Sequence, residues 1–122
     1  MASHDAQFQI SAASSRTDAA ALWKEAALIR HIVFFSARAD EDVEAVRSGL
    51  QLLGSIPHSS VFEVSLNTKV DPLCDAVDVV VYAEFADQAA LAAYKSHPIY
   101  AEATRQVRPL REMRYSADIV SR

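Results

Sequence analysis

From Leu28 onward the chain switches between two hydrophobic periods. Residues 28–38, LIRHIVFFSAR, place His31, Val33, Phe35 and Ala37 on one face of an extended chain and Arg30, Ile32, Phe34 and Ser36 on the other. This predicts a strand that is apolar on both sides. Residues 40–57 change to helical spacing, with Val43, Val46, Leu50 and Leu53 in one stripe, Asp40 as the expected N-cap, acidic residues in the first turn and a stop at Gly54 and Pro57. Residues 60–68 return to a period of two, setting Phe62, Val64 and Leu66 against Glu63, Ser65 and Asn67. Residues 76–85, AVDVVVYAEF, are apolar nearly throughout, as a central strand would be. A second helical stretch follows Asp87, and residues 111–119 alternate Met113, Tyr115, Ala117 and Ile119 with Glu112, Arg114, Ser116 and Asp118. The predicted order is β-α-β-β-α-β.

That order predicts an α+β, ferredoxin-like fold, a four-stranded antiparallel sheet with the helices packed on one face. Strands 28–38 and 76–85 carry apolar side chains on the opposite face as well, and a patch of that kind marks an interface. Burying about 600 Å² of apolar area per subunit, at ~25 cal/mol per Å², contributes on the order of 15 kcal/mol before association and ordering costs. A homodimer through the open sheet face, forming a dimeric α/β barrel across the pair, is therefore the expected assembly.

The second helix is broken. Within AYKSHPIYAEATRQVRPL (93–110) Pro98 lacks an N–H and pushes the residue before it out of the helical region. His97 is expected to end one helix and Pro98 to open the next. Tyr94 and His97 lie one turn apart on one face, and the break tilts Tyr100 toward the same space. Two readings stand for each residue. His97 is either a cap on the carbonyls exposed at the break or a pocket residue; His31 is either a hydrogen-bonded core histidine or a pocket base; Tyr94 and Tyr100 are either packing aromatics or acids.

Composition changes near residue 28. Before it lies ISAASSRTDAAALWKEAAL, in which Thr17 or Asp18 can cap a short helix carrying Leu22, Trp23 and Ala26. The expected organisation is an extension over 1–27, loose over 1–16, followed by one domain over 28–120. A net charge of -4 and scattered arginines argue against a nucleic-acid partner. No apolar run approaches the ~20 residues of a membrane span, so no membrane partner is expected. Cys74 is the only cysteine, which rules out an intrachain disulfide and suits a reducing compartment, the cytoplasm by default. His4, His31, His58 and His97 show no metal-ligand spacing, and there is no phosphate-binding glycine loop or nucleophile elbow, so neither a metal nor a cofactor is expected. The arginines at 105, 108, 111 and 114 read as a solvated face or as interfacial ion pairs.

IRHIVFF in the first strand, VDVVVYAEFADQAALAAYKSHP from the third strand into the helix, and the closing RPLREMRYSADI together resemble the stress-responsive A/B barrel (Dabb) family over about residues 28–120. The resemblance implies a dimeric α+β barrel, in a family mostly of unknown function. Its best understood enzymatic relative is a plant polyketide cyclase that closes an aromatic ring without cofactor or metal, with a histidine as general base and a tyrosine beside it. By that resemblance His31 matches a pocket histidine, and Tyr94 and His97 match the Y-x-x-H-P run. Tyr100 stands where the cyclase has its base, and a phenol with an ordinary pKa of about 10 is a poor base. Three classes follow: a cofactor-independent enzyme of small aromatic or polyketide-like compounds, whether cyclase, lyase or monooxygenase; a binding protein for a small apolar ligand; and a stress-related structural dimer. A cavity lined by His31, Tyr94, His97 and Tyr100 favours the first two, and a filled interior the third.

Overall fold

The computed structural model describes residues 28–121, so the extension over 1–27, with its expected short helix, lies outside the described residues. The elements run β1 (Leu28–Ala37), α1 (Val43–Gln51) with a 3-10 turn at Leu52–Ser55, β2 (Val61–Leu66), β3 (Val79–Phe85), α2 (Gln88–Ser96), α3 (Pro98–Val107) and β4 (Arg111–Ser121). The four strands form one antiparallel sheet in the order β2-β3-β1-β4. This is the α+β, ferredoxin-like arrangement expected of the sequence, and the two doubly apolar strands are indeed the central ones.

Alternation along the strands sorts the side chains. Ile29, His31, Val33 and Phe35 of β1 and Val79, Val81, Ala83 and Phe85 of β3 are buried on the helical side. Against them pack Val46, Leu50 and Leu53 from the first helical segment and Leu91, Tyr94, Ala103 and Val107 from α2 and α3. The opposite face carries Ile32 and Phe34 of β1, Val80 and Tyr82 of β3, and Tyr115, Ala117 and Ile119 of β4. Phe34 and Tyr115 are register partners there, 37% and 68% exposed.

Local bonding moves several boundaries. The cap of α1 is Asp42 and not Asp40: Asp42 is extended (φ -88°, ψ 123°) and its carboxylate accepts from the Glu44 N–H at 3.0 Å. Asp40 is instead spent in a turn in which the Glu41 N–H donates to the Arg38 carbonyl. Strand β3 begins at Val79, later than the expected residue 76. The Asp78 carboxylate takes the Ala37 N–H at 2.8 Å and pairs with Lys69, so a side chain replaces the next rung of the ladder.

The packing of α3 on α1 depends on one small residue. A Cβ at Gly49 would lie 2.8 Å from Cγ2 of Val107, a buried β-branched side chain on α3 that cannot swing away. Alanine favours a helix over glycine by about 1 kcal/mol, whereas overpacking costs about 1–3 kcal/mol. Gly49→Ala is therefore expected to lower stability by about 1 kcal/mol, read as a reduced urea midpoint with an unchanged slope. A gain in stability would show that the helices separate freely.

Candidate functional site

A cavity of about 300 Å³ lies between the sheet and the helices. Its floor is apolar and buried: Val33 and Phe35 of β1, Val81 of β3, Leu50 and Leu53 of the first helical segment, and Ala103 and Val107 of α3. Into this floor the fold sets His31 and Tyr94, and at its more exposed side Tyr100, Thr104, Arg108, Arg111 and Arg114.

His31 sits in the middle of β1 and is 2% exposed. Its register partner on the neighbouring strand is Asp118, which points to the same side of the sheet. The two side chains meet, with His31 Nδ1 2.5 Å from Asp118 Oδ1. An ionised carboxylate only accepts hydrogen bonds, so Nδ1 is the donor to it, and in the neutral form of the ring the lone pair then lies on Nε2. Asp118 is 37% exposed on its side chain, while the imidazole lines the cavity, which leaves Nε2 as the ring nitrogen open to a ligand.

The aromatic groups continue from there. The His31 and Tyr94 rings are 6.0 Å apart and edge to face, Tyr94 packs on Phe85 at 4.8 Å, and Tyr100 meets Tyr94 at 5.4 Å. Such contacts are worth about 0.5–1.5 kcal/mol each and hold the rings in place. Tyr94 is fully buried. Burial, and then the neighbouring Tyr100, push its phenol well above the ordinary range, against a smaller opposing pull from Arg114. Tyr94 thus keeps its proton and can donate it in a hydrogen bond. The Tyr100 hydroxyl accepts from Nη2 of Arg114 at 3.4 Å.

His31, Tyr94 and Tyr100 therefore line one cavity. His97 does not line it. Its backbone is extended (φ -70°, ψ 142°), and its Nδ1 accepts from the Ile99 N–H at 3.1 Å, making it the N-cap of α3. The expected cap on exposed carbonyls is thus replaced by a cap on an N–H. Pro98 at the first position supplies no donor, so the next free N–H is that of Ile99. The His97 ring lies 6.1 Å from that of His58.

Two parts of the site were not apparent from spacing. Asp118 lies 87 positions from His31 and shows itself only as a polar residue on the face of β4 that register turns toward the cavity side. Of the four arginines read as a solvated face or as interfacial ion pairs, Arg105 is exposed and paired with Glu102 at 2.5 Å, Arg108 is exposed at the rim of the cavity, and Arg111 and Arg114 line the cavity half-buried. Among the described residues no group of three or more His, Cys, Asp or Glu side chains is placed to hold a metal ion. Among them too, no helix is long and apolar enough to cross a membrane.

The family model for the stress responsive A/B barrel domain matches residues 29–121. A Dabb family protein with a ferredoxin-like fold from Mesorhizobium loti is 29% identical over 79% of this chain and 98% of its own, with a TM-score of 0.66. A dimeric ferredoxin-like protein of unknown function from Thermobifida fusca is 22% identical, covering 77% of this chain and 91% of its own, with a TM-score of 0.67. A structure from Nitrosomonas europaea that carries the name of an antibiotic biosynthesis monooxygenase is 18% identical over 77% of this chain and 90% of its own, at a TM-score of 0.64. No curated protein matches the sequence.

The raised Tyr94 phenol has a consequence for stability. Below pH ~10 the residue is protonated in both folded and unfolded chains and adds no pH dependence. Above that pH the unfolded chain releases the proton and the folded chain retains it, so stability falls as pH rises. In Tyr94→Phe this part of the alkaline loss should be absent, so the variant gains on the wild type as pH rises from about 10 to about 12, read as urea midpoints at each pH. Parallel profiles for the two proteins would contradict the assignment.

Proposed function

The chain belongs to the stress-responsive A/B barrel family, and from that premise we propose that its cavity is a small-molecule site where His31 acts as a general base. The observation that carries this reading is the bond between the buried His31 and Asp118. A histidine in an apolar wall can be satisfied by any backbone carbonyl. A carboxylate partner does more: it fixes the Nδ1–H tautomer and stabilises the imidazolium that forms when Nε2 takes a proton. Tyr94, protonated and beside the ring, is suited to hold the oxygen on which charge develops.

The substrate class that fits is a small aromatic or polyketide-like carbonyl compound. Nε2 removes a proton from the carbon next to a carbonyl, and the enolate oxygen is held by the Tyr94 hydroxyl. In a cyclisation the enolate carbon attacks a second carbonyl of the same molecule, and the new alkoxide takes the proton back from the imidazolium. In a lyase the same enolate expels a leaving group that takes that proton. Neither course changes the oxidation level or calls on a cofactor. Tyr100 stays a hydrogen-bonding aromatic, linked to Arg114 and unsuited to the role of base.

The assembly proposed with this site is a homodimer through the open sheet face, where Phe34, Tyr115 and Ile119 are exposed together. The dimeric ferredoxin-like relative from Thermobifida fusca supports it. A cytoplasmic location is the setting proposed for it.

Two outcomes are expected. In a screen of small aromatic and polyketide-like compounds, His31→Ala should lower turnover by about 10²–10⁴-fold, and Asp118→Asn by about tenfold or more, with the fold intact. Full activity in His31→Ala would refute the base, tight binding without turnover would make the site a binding pocket, and oxygen uptake during turnover would favour monooxygenase chemistry. Separately, sedimentation at micromolar concentration should give twice the 13.4 kDa chain mass, and Phe34→Glu with Tyr115→Glu should halve it. A well-folded wild-type monomer would contradict the dimer.

A further inference from the structure

The cavity carries three guanidinium groups that the base chemistry does not use. Arg108 caps the end of α3, Arg111 opens β4, and Arg114 lies on the same face of β4 as Asp118. All three line the cavity, and among the described residues no aspartate or glutamate does. Among the described residues none of the three has a carboxylate partner; the ion pairs there are His31–Asp118, Arg47–Glu44, Lys69–Asp78 and Arg105–Glu102. A cation at a helix C-terminus complements the helix dipole, which accounts for Arg108 but not for two arginines on a strand. Arg111 and Arg114 are moreover half-buried. Burial, together with Arg114, Arg108 and Arg38, pulls the Arg111 guanidinium below its usual range, so the group is held among like charges.

Resting on the small-molecule reading of the site, we propose that its ligand is an organic carboxylate, with its apolar body on the floor beside His31 and its carboxylate held by Arg111 and Arg114. The guanidinium fork matches a carboxylate with two parallel hydrogen bonds, and an anion relieves the repulsion among the arginines. The Arg114–Tyr100 bond joins this charged end to the aromatic groups. The tether therefore fixes which end of the ligand reaches His31, an orientation that an apolar floor cannot set alone.

The test uses the full chain, with 2-naphthoate and its neutral counterpart 2-naphthamide followed by calorimetry and by NMR shifts of His31 and Tyr94. The acid is expected to bind about tenfold or more tightly than the amide. Arg111→Gln and Arg114→Gln should each erase most of that preference while leaving amide binding nearly unchanged, and either variant alone suffices if the other fails to fold. Equal affinity of acid and amide, or a preference that survives both substitutions, would overturn the anion site while leaving the pocket. Inorganic phosphate binding as tightly as 2-naphthoate would overturn the role of the apolar body. If neither naphthalene compound perturbs His31 or Tyr94, the small-molecule pocket falls, and this proposal with it.

Discussion

The register between β1 and β4 is the constraint on which the site depends. Because side chains alternate with a period of two, pairing His31 with Asp118 also fixes Phe35 opposite Arg114 and Phe34 opposite Tyr115. A slip by one residue would turn Asp118 and Arg114 to the outer face and bring Tyr115 and Ile119 inward. His31 would then lie in an apolar wall without its carboxylate. The same register thus sets both the polar face of β4 that borders the cavity and the apolar face presented outward.

Burial gives that pairing its chemical value. A histidine 2% exposed among Val33, Phe85 and Tyr94 cannot rely on water, so its ring nitrogens must be satisfied by the protein or by a ligand. Asp118 satisfies one of them and stays partly solvated, which lowers the cost of holding a charge there. The broken helix completes the arrangement from the other side. His97 caps α3 after Pro98, and the change of direction sets Tyr100 edge to face with Tyr94 at 5.4 Å. Gly49, by admitting Val107 closely, keeps α3 near α1 on the wall where Leu50 and Val107 line the cavity.

Much of this was legible in the chain, for physical reasons that differ from residue to residue. The doubly apolar pattern of 28–38 and 76–85 marks strands with neighbours on both sides, and the stripe of Val46, Leu50 and Leu53 marks a helix with one buried face. Both signals are local. Tyr94 and Tyr100 could be placed together because Pro98 fixes a break whose geometry is also local. Asp118 could not be read, since a polar residue on an edge strand looks solvated until register shows what faces it. Arg111 and Arg114 were hidden in the same way: charges at three-residue spacing suggest a wet face, and only the turn from α3 into β4 turns them toward the cavity. His97 was legible as a break but misread in polarity, because the donor left free by Pro98 decides which group it caps.

The protonation state of the His31 ring tests the central claim most directly. Long-range nitrogen–proton NMR of the imidazole reports which nitrogen carries the proton near neutral pH. The account requires the proton on Nδ1, a strongly deshielded Nδ1–H hydrogen-bonded to Asp118, and loss of that signature in Asp118→Asn. A ring protonated on Nε2 alone, or one whose signals ignore Asp118→Asn, would contradict it.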